Sequence, residues 1–332
     1  MPLVSVIVPC YNEQATIHLL LEAVCAQTVP NRDLEVIIAD GRSTDNTRAA
    51  VAAFQDAHPD LSIRLVDNPL RNIPAALNCA LAAAQGEYIV RLDAHSVPER
   101  DYVERCLADL QAGKGDNVGG VWDIRPRGNG RIERSIAIAA AHRMGVGDAR
   151  YRYTSQPGYV DTVPFGAFRR ALFERIGNFD ERLLTNEDYE FNARLRQAGG
   201  KVWLNPNIRS TYFARSNLRE LARQYWRYGF WKARMLRRYP TTLRWRQGLP
   251  PLFVLGLVVL LVFAPWWSAA RALLAGVLVV YGLALAAGSL PVARRQRDAW
   301  LVITVPLAIA TMHVCWGAGF LWSLVSGLGS KQ

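Results

Sequence analysis

Five acidic or imidazole side chains stand where they could carry chemistry. Asp40 and Asp93 each follow directly after a short apolar run, and His95 lies two residues beyond Asp93. Glu187 and Asp188 are adjacent and open a segment with helical spacing. A carboxylate next to an imidazole can bind a divalent cation, and a carboxylate beside a hydroxyl group can remove its proton. These residue types predict metal binding and general-base chemistry.

The runs that precede the first of these side chains have the pattern of a layered α/β fold. Apolar or β-branched runs predict buried strands over Val4–Pro9, Leu34–Ala39, Leu61–Val66 and Glu87–Leu92. Helical spacing predicts helices over Glu13–Gln27, Asp45–Phe54 and Ile73–Ala84. This alternation predicts a parallel, doubly wound sheet, which binds ligands at the carboxyl ends of its strands. Because Asp40, Asp93 and the pair Asn12–Glu13 fall at those ends, we expect them to share one crevice.

The positive charge of the chain is concentrated before its apolar C-terminal part. The formal net charge is +11 over 332 residues, and the segment Arg194–Arg246 holds fourteen Lys or Arg against one acid, Glu220. Basic residues beside a membrane segment follow the positive-inside rule and bind anionic lipid headgroups. We therefore expect the membrane surface as a partner, and no nucleic acid.

The cysteines and the N-terminal segment indicate the compartment. The five cysteines are scattered and form no Cys-x-x-Cys pair, so we expect a reducing compartment without disulfides or a zinc site. Met1–Glu13 does not have the pattern of a signal peptide, because it lacks a basic start and Pro9 interrupts its short apolar run.

The C-terminal part predicts a membrane anchor. Stretches without Asp, Glu, Lys or Arg cover Gln247–Ala270, Ala272–Ala293 and Ala299–Ser330. Each is longer than the roughly 20 residues that a helix needs to cross a bilayer, so three transmembrane helices are expected. Arg294, Arg295 and Arg297 mark a cytoplasmic connection, which would place the C-terminus outside. The alternative is a set of buried helices in a soluble protein.

Several segments resemble one enzyme family. They are Val4–Glu13, Asp40–Thr47, Arg91–His95, Phe165–Arg170 and Asn186–Glu190. In this order they resemble the family 2 glycosyltransferases with the GT-A fold, a Rossmann-like, mostly parallel α/β domain, over about the first 230 residues. Asp93-Ala94-His95 combined with the apolar tail resembles the succinoglycan-type exopolysaccharide glycosyltransferases of membranes in particular. The expected domains are residues 1–215 (GT-A), 216–246 (a basic, aromatic interfacial segment with an amphipathic helix) and 247–330 (the anchor).

The resemblance implies a site for a nucleotide sugar, with a UDP-sugar expected. The residues it places at the donor are Pro9, Tyr11, Glu13, Asp40 and Asp93, and the charge of Arg71 makes it a candidate partner of the diphosphate. Asp40 would contact the uracil base. From the residues alone, Asp40 could equally be an Asx-turn residue that caps the next helix, and Arg71 an ordinary exposed arginine.

The resemblance also implies a divalent metal, Mn²⁺ or Mg²⁺. The family has an Asp-x-Asp motif where this chain has Asp93-Ala94-His95, so Asp93 and His95 are the expected ligands. An imidazole is a softer ligand than a carboxylate, which favours Mn²⁺ over Mg²⁺. Two alternatives stay open: His95 lies behind the metal without binding it, or the two side chains are an exposed loop pair.

The catalytic base is expected at the start of a helix. By resemblance Asp188 is the base, and Glu187 supports the acceptor or the loop. Both acids would lie near the positive end of the helix dipole, with Phe191 and Leu195 facing inward. Ordinary capping by acidic residues explains the same pattern.

A further motif lies in the basic segment. Gln224-Tyr225-Trp226-Arg227-Tyr228 resembles the Gln-x-x-Arg-Trp motif of membrane-bound polysaccharide synthases, with Tyr228 in place of tryptophan. The resemblance implies that Gln224, Arg227 and Tyr228 hold the acceptor or the diphosphate. The same residues also fit an amphipathic helix in the membrane interface.

The expected function follows from these motifs. It is inverting, metal-dependent transfer of a sugar, from UDP-glucose or a similar donor, to a polyprenyl-diphosphate-linked saccharide in exopolysaccharide or cell-surface glycan synthesis. The enzyme would be a multi-pass protein of the cytoplasmic (inner) membrane, with its catalytic domain facing the cytoplasm. Alternatives are a processive synthase, a polyprenyl-phosphate glycosyltransferase and a non-enzymatic membrane scaffold. A nucleotide-dependent oxidoreductase is disfavoured because Pro9-Cys10-Tyr11-Asn12 replaces the Gly-x-Gly-x-x-Gly motif.

Overall fold

The computed structural model describes residues 2–240 and 245–326, and the chain divides into two compact units. The first unit comprises the residues up to Asp123 together with Tyr153–Tyr212. The second comprises Ile124–Arg152 together with the residues from Phe213 onward. Residues 124–152, part of the predicted 1–215 domain, thus group with the C-terminal helices. Residues 241–244 and 327–330 of the predicted segments lie outside the described residues.

The described residues form one sheet of nine strands. They are β1 (Val4–Cys10), β2 (Leu34–Asp40), β3 (Ser62–Asp67), β4 (Tyr88–Arg91), β5 (Val97–Pro98), β6 (Asn117–Arg125), β7 (Gly158–Tyr159), β8 (Ala167–Arg169) and β9 (Val202–Phe213). The strand order is β3-β2-β1-β4-β8-β6-β9-β5, with β7 paired to β9. The four predicted strands correspond to β1 to β4, and β3-β2-β1-β4 pair in parallel as expected.

The expectation of a mostly parallel sheet is wrong beyond β4. Strand β8 pairs antiparallel to both β4 and β6, and β9 pairs antiparallel to β5 and β7. The sheet is therefore mixed. Antiparallel strands need no crossover helix, so this half lacks the regular strand–helix alternation from which the parallel half was predicted.

Eight helices accompany the sheet in the described part of the chain up to residue 197. They are α1 (Ile17–Cys25), α2 (Thr47–Ala57), α3 (Ile73–Ala83), α4 (Tyr102–Gln111), α5 (Arg131–Ala141), α6 (Arg143–Val146), α7 (Ala171–Ile176) and α8 (Glu187–Gln197). The predicted helices correspond to α1, α2 and α3. Strands β1 and β2 are buried along their whole length, because helices cover the central strands of such a sheet on both faces.

The second unit is mainly helical. Besides α5 and α6 it contains α9 (Leu218–Arg238), α10 (Leu249–Phe263), α11 (Ser268–Gln296) and α12 (Leu301–Ser326). Helices α9 and α12 approach closely at two glycines. A Cβ on Gly229 would lie 1.9 Å from the carbonyl oxygen of Trp316, and one on Gly319 would lie 2.3 Å from that of Trp226. Only glycine permits backbones this close.

Within residues 2–240 and 245–326, two helices, not the expected three, are long and apolar enough to cross a membrane. They are α11, with 29 residues, and α12, with 26 residues, and their most apolar 18-residue windows have mean hydropathies of 2.2 and 1.8. Helix α10 has 15 residues, about 22 Å at 1.5 Å per residue, against a hydrocarbon core of about 30 Å. Pro250 and Pro251 lie in its first turn and Pro265 follows its end, so proline limits its length at both ends.

Candidate active site

The carboxylate of Asp40 organises the turn after β2. Asp40 is completely buried, and its Oδ2 accepts a hydrogen bond from the backbone N–H of Ser43 at 3.0 Å. The Ser43 hydroxyl donates to Oδ1 at 2.5 Å, and Arg48 Nε lies 3.4 Å from Oδ2. These contacts are those of an Asx-type turn. Contact with a uracil base therefore remains a prediction for a carboxylate that already holds a turn.

The loops after β1 and β2 are joined by hydrogen bonds. The backbone N–H of Asn12 donates to Ser43 Oγ at 2.8 Å, and the backbone N–H of Thr44 donates to Asn12 Oδ1 at 2.8 Å. The backbone N–H of Glu13 donates to Thr47 Oγ1, also at 2.8 Å. The two predicted donor-binding segments thus form one connected surface at the ends of neighbouring strands.

An aromatic side chain lies over this surface. Tyr11 is 46% exposed, and a Cβ on Gly41 would lie 3.2 Å from Tyr11 Cδ2 and 3.5 Å from Arg71 Cα. The structure therefore brings Tyr11, Gly41 and Arg71 together, and their role in binding a nucleoside stays a prediction. The side chain of Arg71 is exposed, and Pro9 is buried within β1.

Left-handed backbone conformations gather at the same edge of the sheet. Asn12, Arg42 and Arg71 follow β1, β2 and β3, with φ of 54°, 58° and 53°. Asn186, directly before α8, has φ of 69°. Non-glycine residues in this region are uncommon, and they tend to cluster at functional sites. Nothing in the residue types of Arg42 or Arg71 predicts this conformation.

His95 and Glu13 form a pair between the loops after β4 and β1. His95 Nδ1 lies 2.9 Å from Glu13 Oε1. Because an ionised carboxylate can only accept, Nδ1 carries the proton, and the lone pair of a neutral imidazole is then on Nε2. A carboxylate that fixes the histidine tautomer in this way is typical of metal-binding histidines.

The residues at the end of β4 are chemically suited to a divalent cation. The side chains of Asp93 and His95 are 26% and 37% exposed, so both are partly accessible from solvent. Among the described residues, no group of three or more His, Cys, Asp or Glu side chains is arranged around a common point. Asp93 and His95 can therefore supply two ligands, and the remaining ligands would come from substrate oxygens and water, as is usual for Mg²⁺ and Mn²⁺ at phosphates.

A buried arginine joins the metal motif to the base motif. Arg91, on β4, is 5% exposed, and its Nη2 lies 2.8 Å from Glu187 Oε1 and 3.4 Å from Asp93 Oδ1. Glu187 is also 5% exposed, and Asp188 is the next residue of α8. Acids 94 positions apart in the chain, Asp93 and Glu187, thus contact the same nitrogen atom. The sequence prediction did not include Arg91.

Charges within this group perturb each other. Burial raises the pKa of Asp188, and the nearby Asp93 carboxylate adds to the increase while Arg91 opposes it. Burial likewise raises the pKa of Glu187, with Arg91 again opposing. Burial disfavours the charge on Arg91, but the carboxylates around it outweigh this effect and raise its pKa. Carboxyl groups with raised pKa values are the type that general-base chemistry uses.

Packing and hydrogen bonds hold the start of α8. As predicted, Phe191 and Leu195 face inward, with exposures of 1% and 0%. Asn192 accepts a hydrogen bond from Asn117 Nδ2 at 2.7 Å and donates to Thr162 Oγ1 at 3.0 Å, so β6 and the segment before β8 fix the helix. Asp188 Oδ1 accepts from the backbone N–H of Tyr189 at 2.7 Å.

The predicted acceptor residues lie in the second unit. Gln224 Nε2 donates to the Tyr228 hydroxyl at 2.8 Å, and the Tyr228 ring meets that of Tyr225 edge to face at 5.6 Å. Arg227 is exposed on the same helix, α9. These contacts bring Gln224 and Tyr228 together, and the acceptor role of the three residues stays a prediction.

Comparison with known proteins finds relatives that match nearly the full length of this chain. The sequence profile described as glycosyl transferase family 2 matches residues 5–177. The succinoglycan biosynthesis protein ExoA of Rhizobium meliloti is 30% identical over 319 residues, which cover 95% of this chain and 93% of ExoA. A Methanococcus voltae enzyme is 27% identical over 331 residues, 98% of each chain. It is the dolichyl N-acetyl-α-D-glucosaminyl phosphate 3-β-D-2,3-diacetamido-2,3-dideoxy-β-D-glucuronosyltransferase.

A solved structure shows the same fold over nearly the full length. It is the mannosyltransferase PcManGT from Pyrobaculum calidifontis in complex with GDP-Man and Mn²⁺. The superposition has a TM-score of 0.66 with 25% sequence identity, and it covers 97% of this chain and 87% of that one.

Proposed function

The chain belongs to glycosyl transferase family 2 and is a glycosyltransferase, and from this membership we propose that it transfers a sugar to a lipid-linked saccharide with inversion. The donor is a nucleotide sugar, with UDP-glucose or a similar UDP-sugar as the first candidate. One observation carries the proposal. Asp93 and Glu187 contact the same nitrogen of Arg91, which brings the residue beside Glu187, Asp188, to the ends of the parallel strands.

In the proposed reaction Asp188 is the general base. Its carboxylate removes the proton from an acceptor hydroxyl as that oxygen attacks the anomeric carbon of the donor sugar. The new carbon–oxygen bond forms while the bond from the anomeric carbon to the diphosphate breaks, which inverts the configuration. Glu187 contacts Arg91 rather than solvent, so its role is to support this arrangement.

The donor lies across the strand ends in this proposal. Tyr11 packs against the nucleoside, with Asp40, Glu13 and the buried Pro9 shaping the surface beneath it. Arg71 and the residues at the end of β4 meet the diphosphate. The matched structure was solved with GDP-Man, so a guanine nucleotide is the alternative that a donor panel must include.

Asp93 and His95 would hold a divalent cation, and Glu13 would fix the histidine. When bound, such a cation offsets the negative charge that grows on the leaving diphosphate. The mixed carboxylate and imidazole ligands favour Mn²⁺ over Mg²⁺. The mannosyltransferase PcManGT was solved in complex with Mn²⁺, which supports this preference.

The acceptor in this proposal is a saccharide on a polyprenyl carrier at the cytoplasmic membrane. The apolar helices of the second unit would hold the protein there, and the name of the Methanococcus relative describes transfer to a sugar on a lipid phosphate. Gln224, Arg227 and Tyr228 would contact the acceptor or the diphosphate from the basic helix α9. The described residues contain two helices that could cross the membrane, which are too few to enclose a polymer channel. This favours transfer of one sugar per acceptor over processive synthesis.

Membranes that contain the protein test the proposal. They would be incubated with UDP-glucose, UDP-GlcNAc and GDP-mannose, with Mn²⁺, with Mg²⁺ or with a chelator. We expect release of one nucleoside diphosphate that depends on a divalent cation, and a radiolabelled lipid product whose new sugar is attached to a glycan. Membranes without the protein are the control. Product with the sugar directly on a phosphate would contradict the proposed acceptor, and activity in chelator would contradict the metal.

A further inference from the structure

We propose that Arg91 is a positioning residue that sets Asp188 relative to the donor by holding Asp93 and Glu187 on one nitrogen of its guanidinium group. The proposal rests on the proposed function, because it assigns Arg91 a role in the same site. It adds a residue that lies two positions before the metal motif and that touches neither acceptor nor leaving group in the proposed reaction.

The contacts show why one side chain can have this effect. Arg91 extends from β4, the strand that precedes Asp93, and reaches the first turn of α8, which carries Glu187 and Asp188. Its Nη2 lies 2.8 Å from Glu187 Oε1 and 3.4 Å from Asp93 Oδ1. This ion pair spans 96 positions of the chain between Arg91 and Glu187. It is therefore a direct connection between the two motifs.

The surroundings of Arg91 are unusual for a simple structural ion pair. The guanidinium is almost fully buried, and within the described part of the chain its Nε and Nη1 have no hydrogen-bond partner. Burying hydrogen-bond donors without partners costs free energy. Here the attraction between the guanidinium charge and the acids that Nη2 contacts offsets that cost. Costly local arrangements of this kind are typical of functional sites.

Electrostatics explains why the acids need this cation. Asp93, Glu187 and Asp188 repel one another, and without a shared cation the start of α8 would move away from β4. A guanidinium is planar and delocalised, so it can meet two carboxylates at fixed angles. A lysine ammonium would supply the same charge, but its donors rotate on a flexible stem and do not hold the two acids at fixed angles. The two side chains should therefore differ in their effect on turnover.

The experiment compares Arg91→Lys and Arg91→Met with the wild-type protein. Steady-state kinetics would give kcat and the donor KM per folded molecule, with the folded fraction measured by thermal denaturation. We expect Arg91→Lys to lower kcat about tenfold and Arg91→Met about 100-fold, because small displacements of reacting groups have effects of this size. The donor KM should stay within about threefold, since the nucleoside surface around Tyr11 is intact.

Arg64→Met is the matched control. Arg64 Nη2 pairs with the buried Glu35 at 2.5 Å, so this variant also removes the arginine partner of a buried glutamate. Glu35 lies near the beginning of β2, at the opposite end of the strand from Asp40. We expect Arg64→Met to lower Tm while leaving kcat within about twofold of the wild type.

The outcomes separate the possible failures. If Arg91→Met does not fold, Arg91→Lys alone decides, because it keeps the cation and leaves no acid without a charge partner. A wild-type kcat in Arg91→Lys would overturn the positioning role. Absence of transfer by the wild-type protein with every donor would instead count against the proposed function, and binding of nucleoside diphosphate by calorimetry would show that the site is folded.

Discussion

At the scale of single residues, the assignment of Asp188 makes the most direct prediction. Asp188→Asn keeps the size and most hydrogen bonds of the side chain but cannot accept a proton from the acceptor. We expect kcat to fall about 1,000-fold with the donor KM within about threefold, within the usual range for a lost general base. Rates of nucleoside diphosphate release would measure this.

Glu174→Gln is the control for that substitution, because Glu174 is an exposed acid in the first turn of α7, outside the set of proposed site residues. Its kcat should match that of the wild type. If Asp188→Asn transfers sugar at the wild-type rate, the base must be another group.

Asp188 also predicts how stability depends on pH. Burial raises its pKa in the folded protein, so the ionised form costs stability above that raised pKa. Below the ordinary pKa of an aspartate, about 3.9, folded and unfolded chains both hold the proton and the cost disappears. In chelator at pH 8, Asp188→Asn should therefore raise Tm by about 3 °C, and the difference should shrink as the pH falls toward 4. A Tm difference that grows toward low pH would contradict the raised pKa.

The residue types predicted where the acids lie in the sheet better than they predicted which groups the acids contact. Asp40, Asp93 and Glu13 lie at strand ends as expected, because the boundaries of strongly apolar strands can be recognised locally. Arg91 was missed because its partner Glu187 lies far along the chain and a strand arginine usually indicates an exposed position. For Asp40 the sequence left two alternatives, an Asx-turn and contact with a uracil base. An aspartate before Gly41 and Ser43 fits either one, so the turn contacts could not be singled out in advance.

At the scale of secondary structure, prediction succeeded where each strand is followed by a helix. Strands β1 to β4 are runs of Val, Ile and Leu separated by helices, so their pattern is local. Strand β8 has three residues and β7 has two, and neither has enough residues to show a period. Strand β6 contains Gly119 and Gly120, which weaken a strand pattern but allow neighbouring elements to approach closely.

The close approach of α9 and α12 predicts a strong effect of a single methyl group. In Gly229→Ala the new Cβ would lie 1.9 Å from the Trp316 carbonyl oxygen, so the helices must separate. We expect a loss of about 1–3 kcal/mol in the free energy of unfolding, seen as a lower Tm in detergent. Gly276→Ala on α11 is the control, because no atom lies within 4 Å of its Cβ position. Equal Tm values for the two variants would show that the packing is looser than described.

At the scale of the whole molecule, the contacts of α12 bear on the number of helices that cross the membrane. Helix α12 is long and apolar, but helices that cannot cross a bilayer contact both of its ends. Ser135, on α5, bonds Thr304 near its start at 2.7 Å, and Arg237, on α9, donates to the carbonyl of Ser323 near its end at 2.7 Å. Helix α9 carries seven Lys or Arg in 21 residues, too many for a span.

These contacts predict that α12 lies along the membrane surface and that α10 and α11 enter the bilayer as a pair. The short α10 would then cross with local thinning of the bilayer or with help from the turn before it. This arrangement keeps Arg294, Arg295 and Arg297 on the cytoplasmic side, in agreement with the positive-inside rule. It differs from the three-span expectation in placing the C-terminus in the cytoplasm.

Reporter fusions and cysteine labelling would decide among the arrangements. With α10 and α11 as the crossing pair, green fluorescent protein fused to the C-terminus should fluoresce and alkaline phosphatase should be inactive there. A cysteine at Trp266, between α10 and α11, should react with a membrane-impermeant maleimide from outside, because that connection would be external. A cysteine at Arg295 should react only after permeabilisation. Active phosphatase at the C-terminus would restore three crossings. Protection of position 266 together with outside labelling of position 295 would instead make α11 and α12 the crossing pair.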